Sequence, residues 1–165
     1  MVTRSATAWY VAATTPDPEL PMLTIGDLGI LRAVDESADR VVATITPTYS
    51  GCPALREITA DLERRLRAAG HREVEIRTQL APPWTSDWIT DAGRGKLAEA
   101  GIAPPAAARP RTGPVPLTLG RRASATCPRC GSAETVETAA FGATACKSLH
   151  RCTRCDEPFE AVKPL

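Results

Sequence analysis

Aromatic side chains are scarce in this sequence, histidine is scarcer, and neither sign of charge prevails. Of 165 residues 4% are Phe, Trp or Tyr and 2 are His, while 20 Lys plus Arg face 19 Asp plus Glu for a formal net charge of +1. Each shortage excludes something. So small a net charge supplies no global basic field to gather nucleic acid by phosphate neutralisation or to hold the chain on an anionic membrane. Two histidines without a Glu-x-x-His spacing leave a di-iron carboxylate bundle short of ligands. Neither a Gly-x-Gly-x-x-Gly dinucleotide loop nor a Cys-x4-Cys-x2-Cys run occurs. The apolar run near the start, Ala8 to Ala13, falls short of the ~7–15 residues of a signal-peptide core and the about 20 of a spanning helix. With no export signal read, the 6 cysteines point to metal ligands or reactive thiols rather than disulfides, and the expected location is the cytoplasm.

What is present divides the chain in three. Residues 1–101 carry the hydrophobic patterning and Trp9, Tyr10, Tyr49, Trp84 and Trp88, the main core. Residues 102–126 contain Pro104, Pro105, Pro110, Pro114 and Pro116, which lack backbone donors and favour extended geometry, so the segment reads as a semi-rigid linker. Arg109, Arg111, Arg121 and Arg122 lie in it and read as solvated linker charge. Residues 127–165 hold five of the six cysteines but few large apolar side chains; a segment below ~40 residues does not fold on burial alone, and a metal is the obvious stabiliser.

The first region predicts a small α/β (α+β) layer of three strands with helices packed on it. Gly29–Val34 and Val41–Thr46 are β-branched runs joined by a polar loop, hence a hairpin. Leu55, Ile58, Leu62 and Leu66 recur at spacings of three and four between Pro53 and Gly70, an amphipathic helix with its usual start and stop residues. Val74, Ile76, Thr78 and Leu80 alternate with polar residues, giving a half-buried strand that returns parallel to the hairpin. A short helix is expected over Ala6–Ala13, and a last one from Trp88 to about Ala100, capped by Thr85-Ser86-Asp87.

The cysteines carry the chemistry. Cys127-Pro128-Arg129-Cys130 and Cys152-Thr153-Arg154-Cys155 are two Cys-x-x-Cys pairs with 21 residues between them, the spacing of two knuckles that close a tetrahedral four-thiolate site. Zinc is the default occupant and a rubredoxin-like iron its rival. Gly131 after the first knuckle can take the positive φ such a turn favours, whereas the second has Asp156 there. Cys146 is either a separate thiol or a replacement for Cys152. Cys52 is expected at the helix N-cap, where the dipole and free amides would lower its pKa and fit it to bind a metal or cluster, or to act as a nucleophile. Asp17, Glu19 and Asp27 are auxiliary candidate ligands, with caps and turns as the plainer explanation. His71, at the far end of the same helix, is expected to be exposed.

Asp17-Pro18-Glu19-Leu20-Pro21, Ile25-Gly26-Asp27-Leu28-Gly29-Ile30 and Thr46-Pro47-Thr48-Tyr49-Ser50-Gly51-Cys52-Pro53 resemble the SufT-like domain associated with iron-sulfur cluster assembly. Pro82-Pro83-Trp84-Thr85-Ser86-Asp87-Trp88, the Pro-rich segment, Cys127-Pro128-Arg129-Cys130-Gly131-Ser132 and Phe141-Gly142-Ala143-Thr144-Ala145-Cys146-Lys147 resemble the D (also J) component family of the ring 1,2-phenylacetyl-CoA epoxidases. The resemblance implies a non-catalytic accessory subunit in aerobic phenylacetate catabolism, partnered by other epoxidase subunits or the reductase. It also implies help with iron or iron-sulfur assembly, with structural zinc on Cys127, Cys130, Cys152 and Cys155 and a transient iron or cluster at Cys52. Two alternatives are a purely structural docking subunit and a zinc-ribbon nucleic-acid binder, the latter opposed by the near-zero charge. An enzyme in its own right lacks a base and an oxyanion site beside Cys52.

Overall fold

The polar turn between two β-branched runs folds back as a hairpin, β1 (Leu31–Glu36) against β2 (Arg40–Ile45), antiparallel with Val34 opposite Ala43. The structure is a computed structural model that describes residues 7–49, 51–106 and 125–164. Ser50 and most of the expected linker, including Arg109, Arg111, Arg121 and Arg122, lie outside the described residues. The chain divides into two compact units, residues 1–93 and 94–165.

In the first unit, helix α1 (Ala8–Ala13) precedes the hairpin, and α2 (Ala54–Ala68) crosses over to β3 (Glu73–Thr78). Strand β3 runs parallel to β2, with Ala43 opposite Ile76, giving the sheet order β1-β2-β3. Val41, Val42, Ala43 and Ile45 of the central strand are buried. Helix α2 turns Ala54, Ile58, Leu62 and Leu66 inward, and burying each large apolar side chain contributes about 1.5–3 kcal/mol. Its end is fixed by Gly70 at φ +106°: Gly70 N–H donates to Arg67 O (3.0 Å) and His71 N–H to Leu66 O (3.3 Å), the paired bonds of a left-handed helix stop.

The helix expected from Trp88 is broken in two. A single 3-10 turn, Ser86–Trp88, is capped by Thr85, whose Oγ1 accepts from Asp87 N–H. Ile89 is extended, and helix α3 (Asp91–Glu99) begins only after Thr90, whose Oγ1 accepts from Gly93 N–H at 3.0 Å. The break lets the two tryptophans pack on the Ile25–Ile30 loop. Trp84 Nε1–H donates to Leu28 O at 2.8 Å, and Trp88 lies so close to Gly29 (φ +67°) that a β carbon there would stand 2.6 Å from it.

The second unit is a four-stranded sheet of order β4-β7-β6-β5, from β4 (Ile102–Ala103), β5 (Thr135–Ala139), β6 (Lys147–Cys152) and β7 (Pro158–Val162). The boundary expected at 101/102 therefore falls at 93/94 instead, within α3. Ile102 and Ala103, assigned to the linker from sequence, pair parallel with Glu160 and Ala161, which satisfies their backbone groups in the sheet. The buried cluster of this unit is thin: Ala103, Cys127, Cys152, Phe159 and Ala161. No helix among the described residues is long and apolar enough to cross a membrane.

Candidate metal centre and the Cys52 region

Both Cys-x-x-Cys turns are built alike. Gly131 N–H donates to Cys127 O (2.9 Å) and Cys127 N–H to Ser132 O (2.9 Å); in the second, Asp156 N–H donates to Cys152 O (3.0 Å) and Cys152 N–H to Glu157 O (2.9 Å). The residue that follows each turn is left-handed, Gly131 at φ 71° and Asp156 at φ 65°. The glycine missing from the second knuckle thus did not change its backbone, because aspartate tolerates this region better than most residues and Asp156 is also tied by its carboxylate to Arg151. Strand β6 delivers Cys152 from its buried face, and the first knuckle brings Cys127 to the same core.

The four sulfurs of Cys127, Cys130, Cys152 and Cys155 lie within 4.8 Å of one another. Cys127 Sγ is 3.8 Å from Cys155 Sγ, and Cys130 Sγ is 3.6 Å from Cys152 Sγ. A tetrahedron with metal–sulfur bonds of about 2.3 Å has edges of about 3.8 Å, so the donor set fits a four-thiolate metal site. Disulfide bonding, at about 2.05 Å, is excluded at these separations. The Cys155 backbone amide, among other donors, holds the Cys152 thiol down to about 7. Against the pull of the Glu157 amide, burial and the neighbouring thiols push Cys155 up to about 12. Four thiols this close cannot all ionise unless a cation balances them. Arg129 of the first knuckle pairs with Glu157 beyond the second, linking the two turns.

Cys146 stands outside this set. Its sulfur lies 3.0 Å from Thr144 Oγ1 and its carbonyl accepts from Lys163 N–H, so the tetrad contains Cys152 rather than Cys146. His150 is buried with Nε2 2.9 Å from Ser148 Oγ and its ring stacked on Phe159, which keeps it apart from the ligand group.

At Cys52 the structure corrects the sequence reading twice. The N-cap of α2 is Pro53, so Cys52 sits one residue earlier. Its thiol pKa is raised, not lowered: burial outweighs the hydrogen bonds from the Ala54 amide, the Thr48 side chain and the Leu55 amide, and the Glu19 charge adds to the rise. Asp17, Glu19 and Asp27 do not converge with Cys52 into a group of three or more ligating atoms among the described residues. Asp17 is buried and accepts from Glu19 N–H (2.9 Å) and Leu20 N–H (2.8 Å) in its own turn, with its pKa raised chiefly by burial. Asp27 accepts from Thr24 N–H and Oγ1–H, both at 2.9 Å. The plainer explanation, caps and turns, describes both aspartates.

His71, expected at the surface, is buried with Nε2 3.7 Å from Glu36 Oε1, while Glu36 Oε2 accepts from Ala8 N–H at 3.1 Å. A residue closing a helix reads as exposed in sequence; only the fold, which brings Glu36 of β1 beside it, shows otherwise.

Residues 13–77 match the iron-sulfur cluster assembly protein family, and residues 111–163 match the PaaD zinc beta ribbon domain. The D component of the 1,2-phenylacetyl-CoA epoxidase of Escherichia coli (strain K12) is 41% identical over 155 residues, spanning 94% of this chain and 90% of its own length. The chain belongs to the family of phenylacetyl-CoA epoxidase D components. Both ends of the resemblance read from sequence are borne out by these matches. Among solved structures, a domain of unknown function, DUF59, from Bacillus anthracis is 26% identical with a TM-score of 0.50, covering 55% of this chain and 87% of its own. A conserved hypothetical protein from Thermotoga maritima, also 26% identical, covers 58% of this chain and 94% of its own at a TM-score of 0.48. The small α/β layer of the first unit agrees with the DUF59 fold, and the ribbon holds the metal-binding cysteines of this member of the D-component family.

Proposed function

We propose that this member of the D-component family serves maturation of a multisubunit phenylacetyl-CoA epoxidase, assisting delivery of iron or an iron-sulfur cluster to the epoxidase or its reductase through Cys52. The match of residues 13–77 to iron-sulfur assembly proteins carries the reading, because Cys52 falls inside it on the loop that opens α2. A half-buried thiol without converging carboxylates suits passage rather than storage, since one donor holds an ion weakly enough to give it up. Because its pKa is raised, the thiol is protonated at neutral pH, and binding of the cargo must release that proton.

Zinc on Cys127, Cys130, Cys152 and Cys155 is the proposed occupant of the ribbon, where it would supply structural cross-linking of two knuckles with no open position for chemistry. The ribbon is then a folded platform for contact with other subunits. The near-zero net charge, with Arg129 and Arg151 tied to Glu157 and Asp156, supports protein over nucleic acid as its partner.

Zinc, iron and acid-labile sulfide per chain, measured on protein purified without oxygen, test both sites. One zinc plus iron or sulfide that disappears in Cys52→Ala is the expected result; a Cys52→Ala strain whose epoxidase keeps full iron content and activity would sink the delivery role. The raised thiol pKa favours a second reading, a subunit that only holds the complex together, for which Cys52 is replaceable and the ribbon is not.

A further inference from the structure

Glu157 stands at the junction of the two knuckles. Its carbonyl accepts from Cys152 N–H at 2.9 Å and its N–H bonds the Cys155 sulfur, so both ends of its backbone serve the second knuckle. Its carboxylate serves the first, pairing with Arg129, which lies between Cys127 and Cys130. A second strap runs the other way. Thr153, between Cys152 and Cys155, donates twice to Glu134 O, from its N–H and from its Oγ1–H, each at 2.9 Å. Glu134 N–H in turn donates to Ser132 Oγ at 3.0 Å. Ser132, buried just past the first knuckle, accepts Cys127 N–H on its carbonyl at 2.9 Å.

Each knuckle therefore reaches across to residues that follow the other, through side chains that are not ligands. The bond from Thr153 N–H only extends the β5–β6 ladder one step past Thr135 opposite Cys152. The Thr153 hydroxyl and the Glu157 carboxylate are additions that the ladder does not require. Both lie near the surface, where such bonds add little to global stability. What they control is distance. The sulfur contacts between knuckles are Cys127 to Cys155 at 3.8 Å and Cys130 to Cys152 at 3.6 Å, so a slip of one knuckle along the other opens both edges of the tetrahedron together. Groups that orient ligands without touching the metal ordinarily carry about 10- to 100-fold of its affinity.

We propose that Arg129, Glu157, Thr153 and Ser132 are positioning residues of the metal centre, two opposed straps that hold the knuckles at the spacing the ion needs and so set its affinity and coordination geometry. This rests on metal occupancy of the ribbon as proposed above and is independent of Cys52.

The test uses the full-length chain loaded with zinc, which a chelator then competes away, or with cobalt, whose visible bands report the geometry of its ligands. Thr153→Val keeps the N–H and the shape of the side chain; it and Arg129→Met should each lower zinc affinity several-fold, and together by at least about tenfold. The cobalt bands should shift in the double variant while the far-ultraviolet dichroism of the metal-saturated protein stays the same. Thr153→Ser, which keeps the hydroxyl, should retain both affinity and bands. Wild-type affinity in the double variant would overturn the proposal. So would weaker binding with wild-type cobalt bands, because the straps would then add stability without placing ligands. If the double variant does not fold, Thr153→Val alone decides between the same outcomes. A wild-type chain that takes up neither zinc nor cobalt would refute metal occupancy itself, a failure distinct from tight binding that ignores the straps.

Discussion

The two units solve the same stability problem by different means. Residues 1–93 bury Ile45, Ile58, Leu62 and Leu66 of a three-stranded sheet and a 15-residue amphipathic helix, with Ile25 of the preceding loop. Residues 94–165 pair four strands over a cluster in which two of the five buried members are the metal-binding Cys127 and Cys152. In the first unit the hydrophobic effect acts through many weak contacts, and loss of one weakens the whole by a fraction. In the second the core and the metal site share atoms, so folding and metal binding become one equilibrium.

The sharpest way to break the comparison is Cys130→Ser. With one ligand gone, the unit loses much of a binding free energy of about 10–16 kcal/mol, the range for structural zinc in small peptides. Residues 127–165 should become sensitive to protease and lose zinc while the first unit resists digestion. Protection beyond residue 126 equal to that of the wild type would show that the strands suffice.

Leu62→Ala attacks the other side. Leu62 is fully buried, and its truncation should cost about 2–5 kcal/mol, read as a lower denaturation midpoint of the first unit with zinc stoichiometry intact. Loss of zinc in this variant would mean that the units do not fold independently.

Cys52 refines the contrast between thiols. Its raised pKa keeps it protonated at neutral pH, so iodoacetamide should modify it more slowly than an ordinary cysteine near pH 8, with the rate climbing at higher pH. Because the folded-state pKa lies above the unfolded one, the neutral thiol's contribution to stability is intact below the unfolded value and lost as pH rises through the folded value. Glu19→Gln removes a charge that raises this pKa and should speed alkylation at a given pH. An unchanged rate would show that burial acts alone.

The smallest effect belongs to Asp17→Asn. Burial raises this carboxyl's pKa, so the folded state disfavours its charge; the contribution of Asp17 is greatest below the unfolded value and declines as pH rises through the folded one. Asparagine keeps an acceptor for the Glu19 and Leu20 amides without a charge. The variant should gain slightly in thermal stability near neutral pH, with the gain vanishing in acid.

How much of this was legible in sequence depended on how local each cause is. The α2 periodicity, the parallel return of β3 and the pairing of the two knuckles all follow from spacing along the chain. Trp88 misled because the Thr85-Ser86-Asp87 cap points to a helix running on from it, whereas contact with Gly29 and Arg32 holds it in a single 3-10 turn. Asp156 reads as a departure from the glycine pattern, yet the turn bonds place it in the same backbone region as Gly131. Cys52 misled because dipole and amides can be read beside a helix start, while the burial that overrides them is made by distant residues.

By itself, then, the sequence determined the α/β layer and two paired Cys-x-x-Cys knuckles in a segment poor in apolar residues, because period, turn chemistry and ligand spacing are properties of neighbours, and its motifs carried the family resemblance. Tertiary structure alone decided that Ile102 and Ala103 join the second sheet, that His71 is buried against Glu36, and that Cys52 titrates high. Each of these depends on what a residue far along the chain places next to it, and desolvation, strand pairing and exposure have no signature until the chain has folded.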